Sequence, residues 1–294
     1  MPNVLAKESL RHFAQDLKNF DPVVFASTDF KYYIDDLPAD RHFKELRIIP
    51  VQELVFYDIK EDEAPLQPGV TESNTGESGG VHLDAKEYHE MLKKDNAVVI
   101  DVRNQYETII WRFDGQQSVG GASYYIDPMM RKSTDFKRWL AKDETKEKLK
   151  DKTVLLFCTG GIRCERASAY LMKNKFGNEV EGVYQLQGGI ERYLKEYSNG
   201  GGFWTGKNFV FDKREAVSAS NPKGDGGVVG KRKADDSEKI ASKCCVCGCP
   251  WDRYIGKKKC WTCGVPVLMC DKCMSKKPDK NSATRLSVRC PLCV

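Results

Sequence analysis

The sequence predicts an α/β protein with a central parallel sheet flanked by helices, preceded by an α+β segment and followed by a small Cys-rich module. Three observations predict it. Between residues 84 and 197 short apolar runs alternate with amphipathic helical stretches, the pattern of a parallel sheet buried between two helical layers. Two stretches poor in large apolar residues, 66–80 and 217–243, set that region apart from its flanks. Ten of the twelve cysteines fall between Cys244 and Cys293.

The elements follow in order. Residues 1–65 contain a helical stretch at Val4–Phe20, with Leu5, Leu10, Phe13 and Leu17 at helical spacing, and a strand-like run at Val51–Ile59. After the 66–80 linker, Asp84–Lys94 reads as a helix opened by a capping box of Asp84 and Glu87. Ala97–Ile100 is a buried strand ending at Asp101, and Asn104–Trp111 suggests a helix. Then come a strand at Ser123–Ile126, a helix at Phe136–Leu149, a strand at Thr153–Phe157 and a helix at Arg163–Lys175. A strand at Val180–Leu186 and a helix at Gly189–Tyr197 complete the region, which is assigned to 81–200 with an extension at 201–216. The Cys-rich module is assigned to 244–294.

Composition narrows the setting. The 294 residues are 40% hydrophobic and 30% charged, with a formal net charge of +5. No apolar run approaches the roughly 18–20 residues of a membrane span, and the N-terminus lacks a secretory pattern. A soluble, cytoplasmic protein is expected. Residues 213–294 carry about 18 Lys/Arg against about 8 Asp/Glu, so that end is near +10 and the remainder near −5. A basic tail on an acidic body suits contact with a polyanion such as RNA, or serves only to solubilise. Gly230-Lys-Arg-Lys233 offers a short basic signal that would place the chain in the nucleus instead.

The chemistry centres on Cys158. A buried strand delivers it to the loop Thr159-Gly160-Gly161-Ile162, and a helix opens with Arg163-Cys164-Glu165. In parallel sheets reactive groups gather at the carboxyl ends of strands. Gly160 and Gly161 let the backbone curl so that N–H groups converge, and with the helix start and Arg163 they favour an anion at the loop centre. Such surroundings enrich the thiolate and equally stabilise a persulfide. Cys164 is either a redox partner that resolves Cys158 as a disulfide or a packing residue of the first helical turn.

These motifs resemble those of rhodanese domains over about 82–197. Asp101-Val-Arg103 with Glu107 is similar to their D-V-R-x-x-x-E element, and Gln187-Gly-Gly-Ile190 to their closing turn. The resemblance implies that Asp101, Arg103 and Glu107 form an ion-pair scaffold bracing the site. Where most rhodaneses carry H-x-P-G-A, this chain has Trp111-Arg-Phe113-Asp-Gly115 and Gly121-Ala122, with no histidine. The runs C-T-G-G-I-R-C-E-R-A-S-A-Y-L at 158–171 and F-W-T-G-K-N-F-V-F-D-K-R at 203–214 resemble the rhodanese-like tRNA uridine hydroxylase family and its animal thiosulfate sulfurtransferase-like relatives. That resemblance implies an N-terminal ferredoxin-like domain, a rhodanese domain, a Cys-rich tail, and oxidation of wobble uridine to 5-hydroxyuridine. The family's opening strand, helix and G-I-N loop are missing, so residues 1–65 are expected to be a partial, shortened or remodelled version of its first domain.

Four C-x-x-C pairs, Cys244/Cys247, Cys260/Cys263, Cys270/Cys273 and Cys290/Cys293, supply the ligands for two structural Cys₄ zinc sites. A module this small with few large aliphatic residues needs the ions to fold. Pairing is sequential or cross-braced, and the intervals favour cross-bracing. Cys245 and Cys249 are surplus, and either is an alternative to Cys247. Lys257, Lys258, Lys259, Trp261, Lys276, Lys277 and Arg289 form a basic, aromatic surface suited to RNA, with Trp261 or Trp251 stacking on a base; core packing is the alternative for both tryptophans and the preferred one for Trp251. A protein partner for the module is the alternative.

Three functions remain open on sequence. The first is uridine hydroxylation on tRNA, with Cys158 as reactive thiol and Arg163 holding an anion. The second is sulfur transfer from thiosulfate or a persulfide donor to a thiol, cyanide or tRNA. The third is a non-catalytic scaffold built around the zinc module. No flavin or nucleotide motif is seen.

Overall fold

The computed structural model describes residues 2–26, 28, 30, 49–51, 54–60, 63, 79–113, 124–173, 179–205, 207–209, 216–218, 240, 242–254, 258–275 and 288–294. Most of both expected linkers lies outside these residues. So do the 230–233 basic signal, Gly115, Gly121, Ala122, Lys257, Lys276 and Lys277, and most of 206–215.

The elements in chain order are α1 (Pro2–Phe20), α2 (Pro22–Phe25), β1 (Val81–Leu83), α3 (Ala85–Met91), β2 (Ala97–Asp101), α4 (Gln105–Thr108), β3 (Arg112–Phe113) and β4 (Tyr124–Ile126). They continue with α5 (Asp135–Leu140), α6 (Asp143–Leu149), β5 (Thr153–Phe157), α7 (Ile162–Lys173), β6 (Gly182–Leu186), α8 (Gly189–Glu196), β7 (Trp204–Thr205), β8 (Lys207–Phe209), β9 (Ala216–Ser218) and α9 (Asp271–Met274). The capping box closes as its sequence implies: Asp84 Oδ1 accepts the N–H groups of Lys86 and Glu87 at 2.8 and 2.9 Å, and Glu87 Oε2 accepts that of Asp84 at 2.9 Å.

Five strands form one parallel sheet in the order β1-β6-β5-β2-β4. Every residue of β2 and β5 is buried, because helices cover both faces of these central strands. Alternation along β5 divides the core in two. Val154 and Leu156 join Tyr57, Phe136, Leu140 and Leu171 on one face, while Leu155 and Phe157 join Tyr88, Ile190, Tyr193 and Trp204 on the other. Each such large side chain contributes roughly 1.5–3 kcal/mol by leaving water. Cys158 continues the first set, so its side chain meets the α7 layer.

The helix expected over 104–111 is only the single turn Gln105–Thr108, and two further expectations differ from what is found. The helix expected over 136–149 is two helices, since Lys142 adopts extended backbone (φ −71, ψ 137) and Asp143 and Glu144 then favour a new N-terminus. The strand expected at 51–59 has no ladder partner among the described residues, and Asp58 (φ 55) breaks its extended run. Its alternation is nevertheless real: Tyr57 and Ile59 are buried while Phe56 and Asp58 are exposed. The segment is a strap on the sheet's helical layer, tied by Arg166 Nη2 to Ile59 O at 2.7 Å.

The module is built from two similar knuckles. Cys244-x-x-Cys247-Gly248-x-Pro250 and Cys260-x-x-Cys263-Gly264-x-Pro266 each close with an antiparallel bridge, Lys243 to Pro250 and Lys259 to Pro266. In each, the glycine takes positive φ (71 and 76) and its N–H returns to the first cysteine's carbonyl at 2.9 Å.

Candidate active site

Cys158 lies at the carboxyl end of β5, 1% exposed. The loop after it turns tightly enough for Gly161 N–H to donate to Cys158 Sγ at 3.1 Å. Gly161 has φ +89, and Gly188-Gly189 backs the loop from the far side. A Cβ on Gly189 (φ +66) would stand 2.5 Å from the carbonyl oxygens of both Cys158 and Thr159. The same turn delivers the N–H groups of Ile190 and Glu191 to those two oxygens at 3.0 and 3.2 Å. The glycine pair therefore exists for close approach, and α8 satisfies the carbonyls that the curled loop turns away from its own N–H cradle.

Burial by itself would push the Cys158 thiol up. It is outweighed by a hydrogen bond from the Cys164 thiol, the charge of Arg163, and the backbone N–H groups of Arg163 and Cys164, which bring it down to about 6. Cys164 is fully buried and is pushed the other way, by desolvation and by its bond to Cys158, so it remains the protonated donor of the pair. The two cysteines thus form one unit with a thiolate and a thiol.

Arg163 does not reach into open solvent. Its guanidinium is clamped by Glu107 at 2.6 and 2.8 Å and donates to Thr159 Oγ1 at 3.1 Å, and that hydroxyl in turn meets Glu107 Oε1 at 3.2 Å. Burial opposes its charge, and Glu107 more than compensates. Asp101 and Arg103 form a separate pair, both 0% exposed, joined at 2.9 and 2.7 Å. Arg103 also donates to Trp111 O at 2.6 Å and stacks over Phe157 and Trp204, while Tyr125 Oη donates to Asp101 at 2.9 Å. The three residues grouped by sequence thus serve two different places: Glu107 stands at the cysteine loop and the other two brace the opposite helical layer. Ile162, at the loop's outer edge, is 52% exposed.

Tyr57 was not singled out by sequence reasoning. It is fully buried, packs edge-on against Phe136, and donates to Arg163 O at 3.1 Å. An aromatic on the inward side of the alternating run was the signal available.

In the module the Cys244, Cys247, Cys249 and Cys270 sulfurs all lie within 4.8 Å of one another, as do those of Cys260, Cys263, Cys290 and Cys293. The Cys273 sulfur also meets those of Cys247, Cys270 and Cys244, so five thiols converge on the first site. Sulfurs around a tetrahedral ion with bonds of about 2.3 Å stand about 3.8 Å apart. Cys247–Cys270 and Cys263–Cys290, each 3.6 Å, fit that geometry. Both groups could hold a metal ion, and they alternate along the chain: the first knuckle meets Cys270 of the third C-x-x-C pair and the second knuckle meets the fourth pair, the cross-braced arrangement. Cys245 is outside both groups. Trp251 is half-buried with Nε1 donating to Arg253 O at 2.7 Å, whereas Trp261 is 67% exposed beside exposed Lys258, Lys259 and Arg289.

Residues 84–196 match the rhodanese-like domain family, and residues 205–293 match the rhodanase C-terminal family. Rhodanese-like domain-containing protein 6 of Arabidopsis thaliana is 36% identical over 86% of this chain and 40% of its own length. A tRNA uridine(34) hydroxylase of Staphylococcus saprophyticus is 35% identical over 84% of this chain and 65% of its own. One from Prochlorococcus marinus is 33% identical over 69% and 57%. The chain thus spans less than two thirds of the curated relatives it matches. No helix among the described residues is long and apolar enough to cross a membrane. With the parallel sheet, the cysteine at its carboxyl edge and the glycine turn behind it, this chain is a rhodanese-like domain protein carrying a rhodanase C-terminal region.

Proposed function

We propose that this protein is a rhodanese-domain enzyme that acts on tRNA in the cytoplasm, converting wobble uridine to 5-hydroxyuridine with Cys158 as the reactive thiolate. The observation that carries this reading is the Cys158 sulfur, held in an N–H cradle with its thiol lowered to about 6, in a chain similar to proteins named tRNA uridine(34) hydroxylase. At neutral pH such a group is mostly thiolate, the nucleophilic form. Cys164 donates its S–H to that thiolate, and Arg163 supplies positive charge through its clamped guanidinium. The N–H groups of Gly161, Arg163 and Cys164 face the sulfur, the loop of Thr159, Gly160, Gly161 and Ile162 receives the anionic group, and Asp101 with Arg103 braces the strand end. Replacing the uridine C5 hydrogen by hydroxyl is a two-electron oxidation, so the reaction consumes an oxidant.

In this reading the rhodanese domain occupies 81–200 and the extension 201–216, with the module at 244–294 holding two structural zinc ions. Cys260, Cys263, Cys290 and Cys293 bind one ion, and Cys244, Cys247, Cys270 and Cys273 the other. Cys249 occupies the place that Val265 takes in the second knuckle, a buried packing position, and is the fifth thiol rather than a ligand. Trp261 with Lys258, Lys259 and Arg289 forms the face for single-stranded RNA, where an exposed ring can stack on a base and cations follow the phosphates.

One observation favours a second reading, sulfur transfer. Several N–H groups converge on a single sulfur that is hydrogen-bonded to a second thiol. A persulfide on Cys158 would be stabilised as R–S–S⁻, and attack by Cys164 on the inner sulfur would release sulfide and leave a Cys158–Cys164 disulfide. The deciding experiment digests tRNA from cells lacking the protein, complemented with wild type or Cys158→Ser, and measures nucleosides by mass spectrometry. Loss of 5-hydroxyuridine restored only by wild type is expected. A change confined to thiolated nucleosides would replace hydroxylation by sulfur transfer, and an unchanged profile would remove tRNA as substrate.

A further inference from the structure

The module docks on the rhodanese body at the segment that carries Glu107. Tyr254 Oη donates to Tyr106 O at 2.5 Å, and the two rings meet edge-on with centroids 6.4 Å apart. Tyr106 itself packs into the small core around Cys260, Val265, Val267 and Cys290, and so belongs to the second knuckle's interior as much as to α4. A second contact lies on Arg131, whose Nη2 donates to Leu292 O and approaches Cys293 Sγ at 3.6 Å. The two anchored segments of the body are themselves joined, Gln105 N–H donating to Met130 O at 2.7 Å.

Helix α4 has only four residues. A single turn is not stable alone, because nucleation costs more than its few hydrogen bonds return. Its conformation therefore depends on what holds it: the Glu107 carboxylate accepting Asn104 N–H at 3.1 Å, the Met130 carbonyl, and the module through Tyr106. Glu107 in turn fixes the guanidinium of Arg163, with 2.6 and 2.8 Å bonds.

We propose that the Cys-rich module is a positioning element of the active site: docking through Tyr254 and through Arg131 to the 290–293 turn holds α4 in place, and α4 through Glu107 holds Arg163 beside Cys158. Tyr106, Tyr254 and Arg131 are positioning residues that touch no reacting atom. The proposal rests on Cys158 being the reactive group. When the anchor is lost, α4 loosens and Arg163 hydrates, so its charge acts on the thiolate through water rather than through a buried path.

The test measures Cys158 itself, with no tRNA present. Full-length, metal-loaded protein is alkylated with iodoacetamide across pH 5–9, and modification is read by mass spectrometry after trypsin. Cleavage after Lys152, Arg163 and Arg166 places Cys158 and Cys164 on different peptides, so the two thiols are read separately. Wild type is compared with Tyr254→Phe, Arg131→Met and Arg131→Lys, each with its metal content measured. A midpoint raised by about one unit in Tyr254→Phe and Arg131→Met is expected, which slows Cys158 alkylation at pH 6 about fivefold. Arg131→Lys, which keeps a donor, should recover most of it. If Arg131→Met loses metal, Tyr254→Phe alone decides. A low wild-type midpoint that stays unmoved or falls in these variants overturns the proposal alone. An ordinary midpoint in wild type overturns it together with the reading of Cys158.

Discussion

Replacing Cys158 by serine removes one titrating group at almost constant volume, and its effect on stability should depend on pH. Burial raises the thiol, but the Cys164 hydrogen bond, Arg163 and the loop N–H groups bring it from an ordinary 9.0 to about 6 in the folded protein. Between these values the unfolded chain carries a proton that the native state lacks, so unfolding free energy rises with pH across this window. The contribution is complete above pH 9 and is lost as pH falls through 6. Three units at about 1.36 kcal/mol each set it near 4 kcal/mol. Cys164 opposes it only above pH 9, because burial and its bond to Cys158 hold that thiol protonated beyond its ordinary value. The assay is urea unfolding of metal-loaded wild type and Cys158→Ser at pH 6, 7, 8 and 9 with a phosphine reductant. Taking the difference cancels the module's own titrating cysteines. The advantage of wild type should grow by about 1.4 kcal/mol per pH unit. A difference constant to within about 0.5 kcal/mol would refute the reasoning, since it would mean the native thiol stays protonated and burial wins.

Glu107→Gln strands the charge of a guanidinium only 5% exposed and should cost about 3–5 kcal/mol in urea unfolding. A loss under about 1 kcal/mol would show that the clamp is not needed to keep that charge buried. Gly189→Ala places a Cβ 2.5 Å from the Cys158 and Thr159 carbonyl oxygens at φ +66. Backbone strain alone costs roughly 1–2 kcal/mol, and displacement of the loop should also slow Cys158 alkylation; unchanged alkylation would show the turn does not shape the cradle. Trp261→Ala should weaken binding of single-stranded tRNA segments by about 1–3 kcal/mol in filter binding without altering thermal unfolding, and unaltered binding would remove the ring from the RNA face.

The legible parts of the fold are those dictated by local rules. Asp84 and Glu87 close a capping box because side-chain chemistry at that spacing leaves little choice. The continuous apolar runs at β2 and β5 become the sheet's buried centre because only strands covered on both faces can use such runs. Cys158 was legible for the same reason, being the first residue past a buried strand and ahead of two glycines. The pairing of Arg163 with Glu107 was not, because 56 residues separate them and nothing local says which carboxylate will meet which guanidinium. Tyr57 and Tyr254 escaped for a related reason: each acts by one hydroxyl donated to a distant backbone oxygen. The four C-x-x-C pairs were read from the sequence, but the repeated C-x-x-C-G-x-P of the twin knuckles, with the proline at each closing bridge, was not.

The order in which the chain is synthesised gives the module's docking contacts another meaning. Tyr254 reaches back 148 residues to Tyr106, and Leu292 reaches back 161 to Arg131. At about 5–20 residues per second, a ribosome that has just released β7 needs roughly another 5–20 s to deliver the last cysteines. Throughout that interval the strands, the cysteine loop and the glycine turn are already available to assemble, while the small core that Tyr106 enters still lacks Val288, Cys290 and Leu292. The sheet and its cysteine loop are thus made before the thiols that could hold a metal ion, so in the proposed reading metal loading acts on a body whose strands are already available and fixes α4 rather than the sheet.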